Sequence, residues 1–284
     1  MVVKIHTICV CGAGTMGSGI AQVAAISGFS TILFDVNAAI LTKAKLSIER
    51  SLDLLVEKGK LNMTDKRAAM DRVTFTNQIA DCKAELCIEA IIEKPEAKIE
   101  LFNKLADLNR QDTILATNTS SLSIETIAAN VKNPERLIGM HFFNPAPLMK
   151  LVEIVNTKAT AASTTTTMVN LAKEMNKTPV VSKDSPGFIV NRVARPFYIE
   201  SLRLVEEGQV NFAQADALME ATGFKMGPFK LMDLIGNDIN YAVSCSVYEL
   251  LQKPDRLQPS PIQKEKVDRG EFGKKSGKGY YNYD

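Results

Sequence analysis

The chain has only two histidines in 284 residues, and one of them, His141, stands where proton chemistry is feasible. It closes the strand-like run Arg136-Leu-Ile-Gly-Met-His-Phe-Phe, and a proline-bearing connection leads to a second run, Lys150-Leu-Val-Glu-Ile-Val. Antiparallel neighbours would set His141 beside Glu153. The alternating face Leu151, Glu153, Val155 is apolar except for the carboxylate. A buried carboxylate is costly unless something donates to it, and an imidazole N–H is a natural donor. Histidine exchanges protons near neutrality, and a carboxylate on one ring nitrogen fixes the tautomer and stabilises the imidazolium. The competing reading is a structural histidine satisfied by a backbone carbonyl.

A redox partner for such a pair is suggested at the N-terminus. The apolar segment Lys4-Ile-His-Thr-Ile-Cys-Val-Cys runs into Gly12-Ala-Gly14-Thr15-Met16-Gly17. Ile20, Val23, Ala24 and Ser27 then recur at helical spacing, Gly28 ends the helix, and Ser30-Thr-Ile-Leu-Phe-Asp35 reads as a second strand. This is a βαβ unit with the G-x-G-x-x-G turn of a dinucleotide site. Gly12 permits the tight turn, Gly14 lets the backbone approach a pyrophosphate, and Gly17 allows close helix–strand packing. The turn residues Gly12, Gly14, Thr15, Met16 and Gly17 are the candidate phosphate cradle at a helix N-terminus. Asp35 would accept from a ribose 2′-hydroxyl and repel a 2′-phosphate, which favours NAD over NADP. FAD uses the same fold and is the rival cofactor.

The remaining elements must position these groups. Ala84-Glu-Leu-Cys-Ile-Glu-Ala, a helix opening at Pro95, Thr113-Ile-Leu-Ala-Thr and a helix from Ser123 continue the alternation. The pattern predicts an α/β fold: an N-terminal Rossmann-type, doubly wound, mostly parallel sheet. After Thr178-Pro-Val-Val-Ser it changes: helical runs Phe188 to Glu207, Phe212 to Thr222 and Lys230 to Leu251 follow with no strand between them. Residues 1–183 are therefore expected to form the NAD-binding domain, and residues 184–284 an all-α C-terminal domain. The four threonines 164–167 read as the start of a helix. With 45% hydrophobic residues the chain can bury two cores.

Charge and composition narrow the partners. Thirty-four basic residues against 32 acidic ones argue against a general polyanion binder, so no nucleic-acid role is expected. No window approaches a membrane span and no targeting peptide precedes the first strand, so the protein reads as cytoplasmic and not membrane-bound. The five cysteines Cys9, Cys11, Cys82, Cys87 and Cys245 lack zinc-ligand spacing and read as reduced core residues, and no metal is expected.

An active site at the carboxyl ends of the strands would draw on Asn118-Thr-Ser120-Ser121, although Ser121 or Ser123 can equally cap a helix. At the domain junction Ser185-Pro-Gly-Phe-Ile-Val-Asn191-Arg192 reads as a helix with proline in its first turn and Asn191 a turn or more inside it, where an amide needs a partner.

Taken together, Thr117-Asn-Thr-Ser-Ser, His141-Phe-Phe-Asn-Pro, Lys150-Leu-Val-Glu, Pro186-Gly-Phe-Ile-Val-Asn-Arg, Met226-Gly-Pro-Phe and Phe272-Gly-Lys-Lys-Ser-Gly-Lys-Gly-Tyr resemble the 3-hydroxyacyl-CoA dehydrogenases. The likeness covers nearly the whole chain and is strongest to the short bacterial 3-hydroxybutyryl-CoA dehydrogenases of butyrate-forming metabolism. It implies that His141 is the general base, Glu153 orients it, and Ser120 and Asn191 bind substrate oxygens. It further implies NAD contacts from Glu93, Lys98, Ser120 and Asn144, and coenzyme A contacts from Ser51 and Lys58, which seven residues of helix would place on one face. Solvated side chains are the plainer reading of Glu93, Lys98 and Lys58. Members of the family pair as homodimers through the C-terminal domain, for which the apolar helix Tyr241 to Leu251 is a candidate. Two other functions remain compatible with these residues: a same-fold dehydrogenase of a free hydroxy acid or sugar acid, and a non-catalytic structural protein.

Overall fold

The computed structural model describes residues 3–283, and the chain divides into two compact units between Asp184 and Ser185. The first opens with β1 (Thr7–Cys11), α1 (Thr15–Ile26), β2 (Ser30–Phe34), α2 (Ala38–Glu57), α3 (Met63–Asp71) and β3 (Val73–Thr76). It continues with β4 (Leu86–Glu89), α4 (Pro95–Leu108), β5 (Ile114–Thr117), α5 (Ile124–Ala128) and β6 (Leu137–Phe142). β7 (Leu151–Asn156), α6 (Ala162–Glu174) and β8 (Thr178–Lys183) complete it. The strands form one sheet in the order β3-β2-β1-β4-β5-β6-β7-β8, parallel throughout except for β6 against β7. The crossover from β3 back to β4 beside β1 is the switch point at which such sheets bind dinucleotides.

The central strands are apolar on both faces because helices cover both. Ile8, Val10, Leu86, Ile88, Ile114 and Ala116 are buried on one face, where α1 brings Ile20, Ala21 and Ala24, and Cys9, Cys87 and Leu115 are buried on the other. Burial of a large aliphatic side chain contributes about 1.5–3 kcal/mol. The threonine run does begin a helix: Thr164 and Thr167 lie inside α6, each donating its hydroxyl to a backbone carbonyl. Lys177, just past α6, is buried, and its ammonium donates to the carbonyls of Ala146 (2.6 Å) and Met149 (2.8 Å). That bond pair pins the connection between β6 and β7.

The second unit is helical, with α7 (Val190–Glu206), α8 (Phe212–Ala221), α9 (Pro228–Ile235), α10 (Asn237–Leu250) and α11 (Pro261–Asp268). Two details differ from the sequence expectation. The run Lys230 to Leu251 is not one helix, because Gly236 (φ 105°, ψ 123°) breaks it between α9 and α10. Pro186 precedes α7 and is not in its first turn, since Gly187 (φ 73°) and Phe188 (φ 48°) take left-handed conformations that no α-helix contains. An added Cβ at Gly187 would meet Val247 Cγ2 at 2.9 Å and Arg192 N at 3.0 Å, so the close turn also excludes a side chain.

Two buried aspartates close this unit. Asp216 accepts from the backbone of Phe229 and Lys230 and from the Tyr281 hydroxyl (2.7 Å). Asp233 accepts from Asn237 Nδ2 (2.8 Å), the backbone of Tyr280 and Tyr281, and the Tyr283 hydroxyl (2.9 Å). The basic stretch Gly273 to Lys278 is accordingly a closing turn, bridged Gly273 to Lys278.

Candidate active site

His141 and Glu153 are direct cross-strand partners in the β6–β7 ladder. His141 Nδ1 lies 2.7 Å from Glu153 Oε2, and the two residues are 5% and 0% exposed. That burial decides the electrostatics, because a carboxylate without water must rely on protein donors. The Phe143 ring packs against the imidazole at 4.5 Å between centroids, tilted by 52°. With Glu153 accepting at Nδ1, the tautomer leaves Nε2 as the nitrogen that can take a proton.

The dinucleotide turn has the stereochemistry its glycines require. A Cβ on Gly17 would lie 1.7 Å from the Gly12 carbonyl oxygen, and one on Gly12 would lie 2.5 Å from the Ala90 oxygen, so these two positions exclude side chains by packing. Gly14 differs, with nothing within 4 Å of an added Cβ. Space at that point, beside a helix α1 that no side chain caps, fits a pyrophosphate approaching the backbone. Thr15 and Met16 form the first residues of that helix. Asp35, just beyond β2, takes the Ala13 N–H on one oxygen (2.8 Å) and the Asn37 N–H on the other (2.9 Å). Gly12, Gly14, Asp35, Val36, Ile40 and Ile91 help line a cleft of about 720 Å³, mostly apolar with Asn37, Glu100 and Lys104 also on its wall, which suits an adenine and its ribose. The residues present therefore fit NAD.

Next to this turn lies a buried ionic cluster. Lys98, in the first turns of α4, is 1% exposed and donates to Glu89 Oε1 at 2.5 Å, with Glu93 Oε2 at 3.1 Å. Glu89, fully buried at the end of β4, also accepts from the Ile91 N–H (2.7 Å) and the Thr117 hydroxyl (2.7 Å). Burial pushes the Glu89 carboxyl up, against the pull of Lys98 and the other donors. Glu93 is half-exposed, and there the balance reverses: burial raises its carboxyl, yet Lys98, Thr119 and Ser121 together hold it below the usual range. Glu93 Oε1 accepts from the Thr119 hydroxyl, the Ser120 N–H (3.3 Å) and the Ser121 hydroxyl (3.1 Å). The serine turn after β5 is thus tied to β4 through Lys98. Glu89 was not singled out in the sequence, although an acid ending the apolar strand Leu86-Cys-Ile-Glu was a readable signal.

Other expected residues are placed as follows. Ser120 is half-buried in the turn that Glu93 holds. Asn118 is a structural residue as well as a neighbour, its Oδ1 accepting the Phe142 N–H at 2.8 Å beside His141. Ser123 caps α5, accepting from Thr126 N–H. Asn144 is exposed and precedes Pro145. Asn191 is in the first turn of α7, not a turn or more inside it, because the left-handed pair 187–188 delays the helix start. Ser51 is half-buried in α2, and Lys58 is exposed at that helix's C-cap. Lys98 departs furthest from a solvated side chain.

Comparison with known proteins follows the same division of the chain. Residues 7–185 match the model of the 3-hydroxyacyl-CoA dehydrogenase NAD binding domain, and residues 187–283 match the C-terminal domain of that family. The 3-hydroxyadipyl-CoA dehydrogenase of Escherichia coli is 46% identical over 100% of this chain, which spans 60% of that longer protein. A probable 3-hydroxybutyryl-CoA dehydrogenase of Bacillus subtilis is 39% identical, covering 99% of this chain and 98% of its own. The solved structure of (S)-3-hydroxybutyryl-CoA dehydrogenase from Ralstonia eutropha superimposes with a TM-score of 0.94 at 35% identity, covering 99% of this chain and 100% of that one. The chain belongs to the 3-hydroxyacyl-CoA dehydrogenase family, with its NAD-binding domain in the first unit and the family's C-terminal domain in the second.

Proposed function

We propose that this protein oxidises and reduces C3 of a short-chain acyl-CoA thioester, interconverting 3-hydroxybutyryl-CoA and acetoacetyl-CoA, with His141 as the general acid/base. The buried His141–Glu153 contact of 2.7 Å carries the reading. In the oxidative direction Nε2 of His141 takes the proton of the 3-hydroxyl as the C3–H bond breaks and the C3–O double bond forms. Bound NAD+ supplies the acceptor for the hydride that leaves C3. In reduction the imidazolium returns the proton to the carbonyl oxygen. Glu153 holds the ring and offsets its positive charge, and general acid–base catalysis of this kind contributes about 10²–10⁴ in rate.

Ser120 and Asn191 donate to substrate oxygens in this scheme, and Ser51 and Lys58 meet the coenzyme A moiety, the ammonium facing its phosphates. Glu93, Ser120 and Asn144 contact NAD. Lys98, being buried, serves that contact by holding Glu93 in place. Asp35 selects NAD over NADP by repelling a 2′-phosphate. The helical unit pairs two copies of the chain, a role supported by its exposed Leu218, Phe224, Leu234 and Ile239.

The test follows NADH oxidation with acetoacetyl-CoA, free acetoacetate and a chain-length series of 3-ketoacyl-CoA substrates. Turnover confined to the thioesters supports the proposal; turnover of free acetoacetate at an equal kcat/KM would replace it with a hydroxy-acid dehydrogenase. The name of the 46% identical relative favours including 3-oxoadipyl-CoA in that series as a second reading.

A further inference from the structure

Three of the five cysteines converge beneath the dinucleotide turn. Cys9 and Cys11 alternate along β1 and so point to one face of the sheet, away from Ile8 and Val10. Cys82 follows the short helical turn Ile79–Asp81 and reaches the same place. The Sγ atoms of Cys9, Cys11 and Cys82 all lie within 4.8 Å of one another, with Cys9 and Cys11 at 3.8 Å, and each residue is 0% exposed. Cys87 sits opposite Cys9 in the neighbouring strand, but its sulfur faces Asn109 Nδ2 at 4.0 Å. The local arrangement is a three-sulfur cup built by residues far apart in sequence.

We propose that this cup is a binding site for trivalent arsenic, taken as arsenous acid and held by the thiolates of Cys9, Cys11 and Cys82. The chemistry is selected by charge. All three sulfurs are fully buried, where thiolate charge is costly. A divalent cation would have to expel three protons and leave a net negative complex in an apolar core, beside Asp81, which is unfavourable. Arsenous acid brings its own bases. Three S–H bonds and three As–O bonds break, three As–S bonds form, and three waters leave; no electron is transferred and the complex is neutral. Soft thiolate ligands suit trivalent arsenic, and a pyramidal three-coordinate centre needs three sulfurs close together, as they are here. Entry to a fully buried site requires local opening, so uptake is slow relative to reaction of an exposed thiol.

The experiment incubates the folded protein with arsenous acid, removes excess reagent, and reads native mass and the number of thiols titratable after denaturation. One arsenic per chain with three thiols lost is expected for the wild type, for Cys245→Ser and for Cys87→Ser. Cys9→Ser, Cys11→Ser and Cys82→Ser are each expected to retain at least tenfold less arsenic, and three separate variants guard against one that misfolds, as judged by circular dichroism. Absence of arsenic from folded wild-type protein, or retention unchanged in all three variants, overturns the site. The readout is independent of dehydrogenase activity and of the substrate assignment.

Discussion

Replacing Lys98 by methionine is the perturbation whose outcome the structure determines most sharply. The ammonium lies 2.5 Å from Glu89 and 3.1 Å from Glu93, and the Lys98 and Glu89 side chains are 1% and 0% exposed. Glu93, with 38% of its side chain exposed, can rehydrate when the lysine is removed and contributes little to the loss. Glu89 cannot. An uncompensated buried charge after loss of its partner destabilises by about 3–5 kcal/mol. For a unit of this size that is a fall in Tm of roughly 6–20 °C. Urea unfolding would show it as a lower midpoint at unchanged slope. The double variant Glu89→Gln, Lys98→Met removes both charges and is expected to regain more than half of the loss. Without Lys98 the only escape for Glu89 is protonation, so its folded pKa rises further. A raised carboxyl contributes stability below its unfolded pKa and loses it as pH rises through the folded value, so the deficit of Lys98→Met is expected to be smaller at pH 5 than at pH 8. A loss below about 1 kcal/mol, or a deficit that does not depend on pH, would refute the account of the cluster.

Gly17→Ala is expected to abolish measurable NADH binding or folding of the first unit, because its Cβ would meet the Gly12 oxygen at 1.7 Å; Gly14→Ala, with open space around it, should fold normally and lose only cofactor affinity in fluorescence titration. Glu271 is held down at about 2 by Lys266 and then Lys278, so its contribution to the C-terminal closure is present above the ordinary carboxylate range and disappears as pH falls from about 4.3 toward 2. Acid titration by circular dichroism should therefore show Glu271→Gln and wild type converging at pH 2. Asp35→Ser removes the carboxylate that bonds Ala13 and Asn37, and the ratio of kcat/KM for NADH over NADPH is expected to fall at least tenfold; an unchanged ratio would remove Asp35 from cofactor selection.

Local rules carried a large part of this fold into the sequence. The spacing of Gly12, Gly14 and Gly17 announces its turn because each glycine answers a steric demand within a few residues. Alternation likewise exposed Glu153, since an acid among inward-facing aliphatics needs a partner, and the antiparallel register supplies His141. What escaped depends on tertiary context. Lys98 reads as an ordinary helix charge, and only the fold buries it against Glu89, whose other oxygen accepts from Thr117 at the end of β5. Asn191 lies nearer the helix start than its sequence implies, because Phe188 takes a left-handed conformation that its residue type does not advertise. The cysteine cup is invisible to spacing rules, as Cys82 meets Cys9 and Cys11 only through the sheet's order.

The central claim is that His141, oriented by Glu153, moves the substrate proton. Steady-state reduction of acetoacetyl-CoA by His141→Ala, with NADH affinity measured separately by fluorescence, tests it most directly. A fall in kcat of about 10²–10⁴ with NADH binding unchanged is the predicted result. Turnover within a few-fold of wild type would contradict the account.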